Sequence, residues 1–302
     1  MHDDLGVEPV GVDLHAVAAA IPGARLVGPV GSDRVVARGL ELDSRLVQPG
    51  QLFAALPGHH VHGARYAGTA LQRGATAILT DPAGLFLLGE QGLDHVCVLV
   101  VPDARGCLPV VAALLYGEPG RDLTVVGITG TNGKTTVAAM IAAGLAEEGV
   151  LAATIGTVGV TIAGRVHPVS RTTPEAPHLQ AILAGLRRER AQVVALEVSS
   201  HALCEHRVDG LVFEVAVFTN LSQDHLDYHR TMDAYFQAKA SLFAPDRARF
   251  AVVCVDDDWG RRLVGQLPVP HWTYSVSGQP ADWRLVGGTG DWLVEGPQGE
   301  RQ

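Results

Sequence analysis

The most constraining feature of this chain lies near its middle. Thr124-Val-Val-Gly-Ile-Thr129 is a short, continuous apolar run of the kind that forms a fully buried strand. It passes directly into Gly130-Thr-Asn-Gly-Lys-Thr-Thr136, after which an Ala-rich helical segment begins. Strand, glycine turn and helix in that order call for a sheet whose carboxyl edge opens on a crevice. In such a turn small residues let successive backbone N–H groups face inward around phosphate oxygens, and the helix N-terminus adds its partial positive charge. Lys134 is placed to reach the outer phosphates and the Thr135 hydroxyl to ligate Mg²⁺, with Gly130, Thr131, Asn132, Gly133 and Thr136 completing the cradle. The usual phosphate-loop spacing puts its first glycine at position 128, which here is Ile; the glycines stand at 127, 130 and 133. ATP binding is the expectation.

The rest of the chain supplies the sheet that such a turn needs. Apolar or β-branched runs at 51–56, 75–80, 96–101, 193–198, 212–219 and 251–255 alternate with helical-length segments at 66–73, 108–116, 135–148, 176–190 and 232–243. That alternation predicts an α/β fold with largely parallel sheets. Gly117-Glu-Pro-Gly120 reads as a linker, so domains are expected at 1–118 and 119–302. The last stretch, 266–302, carries Trp272, Trp283 and Trp292 among Gly and Pro and predicts short antiparallel strands.

Composition narrows the function classes. The 302 residues are 47% hydrophobic, enough for a large core. A formal charge of −9 disfavours nucleic acid as a partner. The longest apolar run, 137–146, is half what a bilayer requires, and the acidic opening MHDDLGVEPV has no signal-peptide pattern. A membrane role is therefore not expected. Four scattered cysteines form neither a disulfide framework nor a zinc ribbon, which suggests a reducing, cytoplasmic setting. Of 23 basic residues only Lys134 and Lys239 are lysine, and each invites a chemical explanation.

Around GITGTNGKTT the sequence resembles the Mur ligases, the ATP-dependent amino-acid-adding enzymes of peptidoglycan precursor synthesis. Further segments are similar to the tripeptide-synthetase branch of that family: Leu42-Asp-Ser-Arg45, Gly50-Gln-Leu-Phe53, Pro57-Gly-His59, Arg171-Thr-Thr-Pro-Glu-Ala176, Glu197-Val-Ser-Ser-His-Ala-Leu203 and Phe218-Thr-Asn-Leu-Ser-Gln-Asp-His-Leu-Asp-Tyr-His229. The resemblance implies an N-terminal domain that binds a UDP-sugar and a central ATP-binding domain. It implies an ATP-dependent amide ligase that adds a third residue, meso-diaminopimelate rather than L-lysine, to UDP-MurNAc-L-Ala-D-Glu through an acyl phosphate. No Pro-Gly-Arg-Phe-Asn-Val-type or later Asp-Asn-Pro-Arg-type segment is present. The expectation is thus a chain without the C-terminal amino-acid-selecting domain, inactive alone or completed by a separate chain. A folylpolyglutamate synthase-like ligase and a non-catalytic nucleotide- or precursor-binding paralogue are the alternatives.

The resemblance also assigns residues. Glu197 ends an apolar strand, where a carboxylate suits Mg²⁺ but could equally close an ion pair with an arginine. His225 matches the family's metal-ligating histidine, and Asn220 stands beside the nucleotide. Lys239 matches a lysine that CO₂ carbamylates into a ligand for a second Mg²⁺; its apolar, aromatic neighbours favour a lowered pKa. The first ion falls to Thr135 and Glu197, the second to His225 and Lys239. Leu42, Ser44 and His59 match contacts to the uridine diphosphate; Thr172, Thr173, Ser199 and Arg207 match contacts to the muramoyl and pyrophosphate portion. Glu205, Cys254 and Asp258 depart from the family pattern.

Overall fold

The computed structural model describes residues 9–28, 35–58, 60–93, 95–288 and 291–299. Backbone contacts divide the chain into two compact units: the residues up to Arg121 with Glu175–Gly185 and Glu205–Gly210, and Asp122–Pro174 with Leu186–Cys204 and Leu211 onward.

The first unit runs β1 (Val12–Asp13), α1 (Leu14–Ala20), β2 (Arg25–Val27), β3 (Val36–Ala37), β4 (Leu40–Glu41), β5 (Leu52–Ala54), α2 (Ala67–Gln72), β6 (Ala77–Thr80), α3 (Pro82–Glu90), β7 (Val98–Val100) and α4 (Ala104–Leu115). Five strands form a sheet in the order β2-β7-β6-β5-β4, with β4 to β7 parallel and β2 antiparallel, while β1 and β3 pair separately. Because successive strand residues point to opposite faces, each strand feeds two cores. Leu52, Leu79 and Leu99 join Leu14, Leu108 and Val111 on one face, whereas Phe53, Ile78 and Val98 meet Leu88 on the other.

The second unit contains β8 (Thr124–Thr129), α5 (Lys134–Glu147), β9 (Ala152–Gly156), β10 (Gly159–Ile162), β11 (Arg165–His167), α6 (Ala176–Arg188), β12 (Val193–Glu197), α7 (Ser200–Cys204), β13 (Phe213–Phe218), α8 (Leu226–His229), α9 (Met232–Ala240), β14 (Ala248–Cys254), α10 (Asp258–Val264), β15 (His271–Ser275), β16 (Trp283–Gly288) and β17 (Asp291–Glu295). Helix α6 is the exception: Ala176–Gly185 belong to the first unit and only 186–188 to the second. The ten strands lie in the order β11-β10-β9-β12-β8-β13-β14-β15-β16-β17, parallel from β9 through β16. Strand β8 sits between β12 and β13, so Glu197 pairs with Ile128 and Phe218 with Thr129. This register brings three strand ends to one edge beside the glycine turn, where α/β sheets bind ligands.

Two local expectations are corrected. Strand β15 runs parallel to both β14 and β16, and in the 266–302 stretch only β16 and β17 are antiparallel. Helix α10, inserted after β14, carries the chain back to start β15 in the same direction. The helix expected at 108–116 begins at Ala104 because Asp103 caps it, accepting from the N–H groups of Arg105 and Gly106, and it runs through Pro109. The helix expected at 66–73 is α2, Ala67–Gln72, preceded by a 3₁₀ turn over Gly63–Tyr66.

One face of the second sheet is only half covered. Between α5 and strands β13 to β15 lies an open cavity of about 1270 Å³, lined by Val137, Met140, Val215, Val252, Tyr274 and Val276 among others.

Candidate active site

Strand β8 is buried after its first residue and delivers the chain into the glycine turn. Gly130 has φ 147° and Gly133 φ 83°, both values that a side chain resists; a Cβ on Gly130 would also run into Thr219 Oγ1. Gly133 caps α5, so the unpaired N–H groups of the first helical turn face out of the turn. Two further N–H groups of the turn are occupied within the protein. Thr131 N–H donates to the Asn220 carbonyl at 2.9 Å and Asn132 N–H to Asn220 Oδ1 at 3.0 Å. Of the expected cradle, the Gly133–Thr136 end is the part whose N–H groups are open to a ligand. Thr131, Asn132 and Asn220 build the turn, with Thr131 Oγ1 also donating to the Ser222 carbonyl at 3.2 Å and lying 3.3 Å from Tyr235 Oη.

The chain's two lysines meet on one oxygen. The Gly130 carbonyl accepts from Lys134 Nζ at 2.9 Å and from Lys239 Nζ at 2.8 Å, although Lys239 is 109 residues further along the chain. Lys134 donates also to the Thr131 carbonyl at 2.8 Å. Lys239 projects from α9, is 1% exposed and lies 4.6 Å from the Tyr235 ring centroid. Burial, reinforced by the neighbouring Lys134 charge and opposed by Asp224, brings its pKa down to about 7. Burial lowers Lys134 as well, against the pull of Glu197 and Asp224.

Glu197 ends β12 at 2% exposure. Its carboxylate accepts from Thr157 N–H at 3.0 Å and Thr157 Oγ1 at 3.2 Å, and it forms none of the ion pairs seen among the described residues. Thr157 Oγ1 lies 3.1 Å from Thr172 Oγ1. Thr173 Oγ1 donates to the Glu197 carbonyl at 2.8 Å and accepts from Ser199 N–H at 3.0 Å. Thr172, Thr173, Ser199 and Glu197, each expected at the site, lie in one hydrogen-bond network that also includes Thr157.

His225 begins α8 with φ 52° and is about half exposed. Its ring meets that of His201 at 4.9 Å, and His201 in turn contacts Tyr228 at 4.2 Å and His229 at 5.6 Å. His229 is buried, with Nε2 at 2.8 Å from Ser200 Oγ. Burial, then the charges of His201, Lys239 and His225, hold its pKa at about 4, so at neutrality it is an uncharged support. No group of three His, Cys, Asp or Glu side chains among the described residues is arranged to hold a metal ion. A hard cation that keeps waters and phosphate oxygens needs only one or two protein ligands, and the oxygen donors of Thr135 and Glu197 suit Mg²⁺ in that manner.

In the first unit, Glu41 Oε1 accepts from the N–H groups of Leu42 at 2.8 Å and Asp43 at 3.0 Å, which fixes the turn carrying Leu42 and the buried Ser44. His59 lies outside the described residues. Arg207 is 5% exposed and pairs with Glu175 at 3.1 Å and with Glu205; Glu205 thus serves as one of the arginine's partners. Thr157, His201, Thr219 and Tyr235 were not foreseen, since each reaches the site through contacts distant in sequence.

A parallel sheet that feeds a glycine turn into a helix N-terminus, with both lysines folded over that turn, defines a phosphate-loop protein. Comparison with known families matches residues 128–287 to the Mur ligase middle domain and residues 36–103 to the Mur ligase family catalytic domain. The chain belongs to the Mur ligase family, whose members are ATP-dependent ligases. It is 46% identical to the UDP-N-acetylmuramoyl-L-alanyl-D-glutamate--2,6-diaminopimelate ligase of Streptomyces coelicolor, over 97% of this chain and 58% of the relative. With the ligase of that name from Corynebacterium glutamicum the identity is 48%, over 84% of this chain and 49% of the relative. A solved structure of a 2,6-diaminopimelate ligase superposes with a TM-score of 0.72 at 29% identity, covering 87% of this chain and 54% of that one. The chain thus spans about half the length of the relatives it matches. Among the described residues no helix is long and apolar enough to cross a membrane.

Proposed function

We propose that this chain carries the ATP and UDP-MurNAc-L-Ala-D-Glu sites of a cytoplasmic ligase that adds meso-diaminopimelate as the third stem-peptide residue. The substrate class follows the ligases this chain resembles, which are named for UDP-N-acetylmuramoyl-L-alanyl-D-glutamate and 2,6-diaminopimelate. The observation that carries the reading is the convergence of Lys134 and Lys239 on the Gly130 carbonyl. A turn with its carbonyls tied back by ammonium groups presents N–H groups and positive charge to a triphosphate.

In this reading the N–H groups of the first turn of α5 hold the phosphates, and Lys134 swings from its loop carbonyls to the γ-phosphate. The γ-phosphoryl group passes to the D-Glu side-chain carboxylate. The incoming amine attacks that acyl phosphate, the tetrahedral adduct expels phosphate, and an amide, ADP and phosphate result. Mg²⁺, held by Thr135 and Glu197, and a second ion by His225 and modified Lys239, would supply charge neutralisation for the phosphates. With its pKa near 7, a sizeable share of Lys239 is neutral amine at physiological pH. That amine adds to CO₂, forming an N–C bond and releasing one proton. The carbamate keeps an N–H to donate to the Gly130 carbonyl while converting a cation into an oxygen ligand. Leu42, Ser44 and His59 take the uridine diphosphate; Thr172, Thr173, Ser199 and Arg207 take the muramoyl and pyrophosphate portion.

Calorimetry with ATP–Mg²⁺ and with UDP-MurNAc-L-Ala-D-Glu tests the proposal. Both ligands should bind, and Lys134→Ala should abolish the ATP heat while leaving the UDP-sugar heat intact. ATP binding unchanged in that variant would refute it.

A further inference from the structure

We propose that Thr219, the residue after β13, is a positioning residue of the nucleotide site that acts through the peptide joining Asn132 to Gly133. Its side chain is 5% exposed, and its single hydroxyl proton has two carbonyls in reach, Asn132 at 2.7 Å and Thr129 at 3.3 Å. The shorter distance assigns the proton to Asn132. Asn220 grips the same residue from its other side, Nδ2 donating to the Asn132 carbonyl at 3.1 Å and Oδ1 accepting from its N–H at 3.0 Å.

This grip has a directional consequence. In a planar trans peptide the carbonyl and the following N–H point opposite ways. Turning the Asn132 carbonyl toward Thr219 therefore turns the Gly133 N–H away from it, to the side where α5 presents its own unpaired N–H groups. Gly133, at φ 83°, is a residue whose backbone rotates with little hindrance. Without the hydroxyl, the peptide preceding it is held by the longer Asn220 contact alone. In the flipped state a carbonyl oxygen faces the anion and a donor is lost. Thr219 thus selects the phosphate-accepting state of a turn that its glycines leave free to switch, while touching no ligand itself.

The inference rests on the ATP reading above, and the test separates the two. Thr219→Val keeps shape and removes the donor; Thr219→Ser keeps the donor. ATP–Mg²⁺ and UDP-MurNAc-L-Ala-D-Glu binding are measured by calorimetry for the parent and both variants, with thermal unfolding alongside. Loss of one hydrogen bond in the turn predicts about tenfold weaker ATP binding for Thr219→Val. Thr219→Ser should stay within about twofold, UDP-sugar affinity should be unchanged, and the unfolding midpoint should move little. An unchanged ATP affinity in Thr219→Val overturns the inference while the ATP reading stands. A parallel loss of both ligands and of thermal stability assigns Thr219 a purely architectural part and overturns it as well. If the parent chain itself binds no ATP, the underlying reading is at fault.

Discussion

A buried amine whose proton comes off near neutrality is a different reagent from a surface lysine. Lys239 holds less proton when folded than when unfolded between about pH 7 and its ordinary 10.5, so its burial penalises the native state most below 7. That penalty fades as pH rises through the window. Lys239→Met is accordingly expected to raise the thermal unfolding midpoint below pH 7, with the gain shrinking in alkali, because the Gly130 carbonyl keeps Lys134 as a donor. In ¹³CO₂-equilibrated solution the parent should show a carbamate carbon resonance that weakens as pH falls through 7 and is missing in Lys239→Met. His229 gives a second pH signature. Its folded pKa of about 4 lies below the ordinary 6.5, so stability should fall as pH drops from 6.5 toward 4 and hold level above. A urea-midpoint series should show this slope in the parent and a flatter one in His229→Gln.

Elements differ in how openly the sequence declares them. The β8, glycine turn and α5 unit was legible because its parts are contiguous: an apolar run, glycines where φ is positive, then an Ala-rich helix. Thr219 was hidden because its partner Asn132 is 87 residues away and nothing local marks a threonine as a strap. The direction of β15 was equally hidden, since a strand's own residues do not disclose which way its neighbour runs, and α10, which sets it from a capped start, was not among the expected helices. That cap is Asp257, which accepts from Gly260 N–H at 2.7 Å and also from Leu221 N–H at 2.8 Å, tying β14's exit to the segment after β13. Asp257→Ala should cost about 1 to 2 kcal/mol in urea unfolding. Asp103→Ala at the start of α4, which removes a cap with no such second bond, should cost about 1 kcal/mol.

At the scale of the molecule, the half-covered face between α5 and β13 to β15 sets the solution behaviour. Met140 is 68% exposed and Val276 59%, and both line that cavity. A continuous apolar surface of this kind binds hydrophobic dyes and promotes association. Dye fluorescence should be high for the native chain and should drop by at least about half in a Met140→Glu, Val276→Glu double variant that melts at the same temperature. The scarcity of lysine has a practical corollary. A lysine-specific protease finds two cleavable bonds in the entire polypeptide, one opening α5 and the other in the last turn of α9. The native fold should therefore outlast such a protease almost indefinitely, and the appearance of its three fragments would time the local opening of the nucleotide turn.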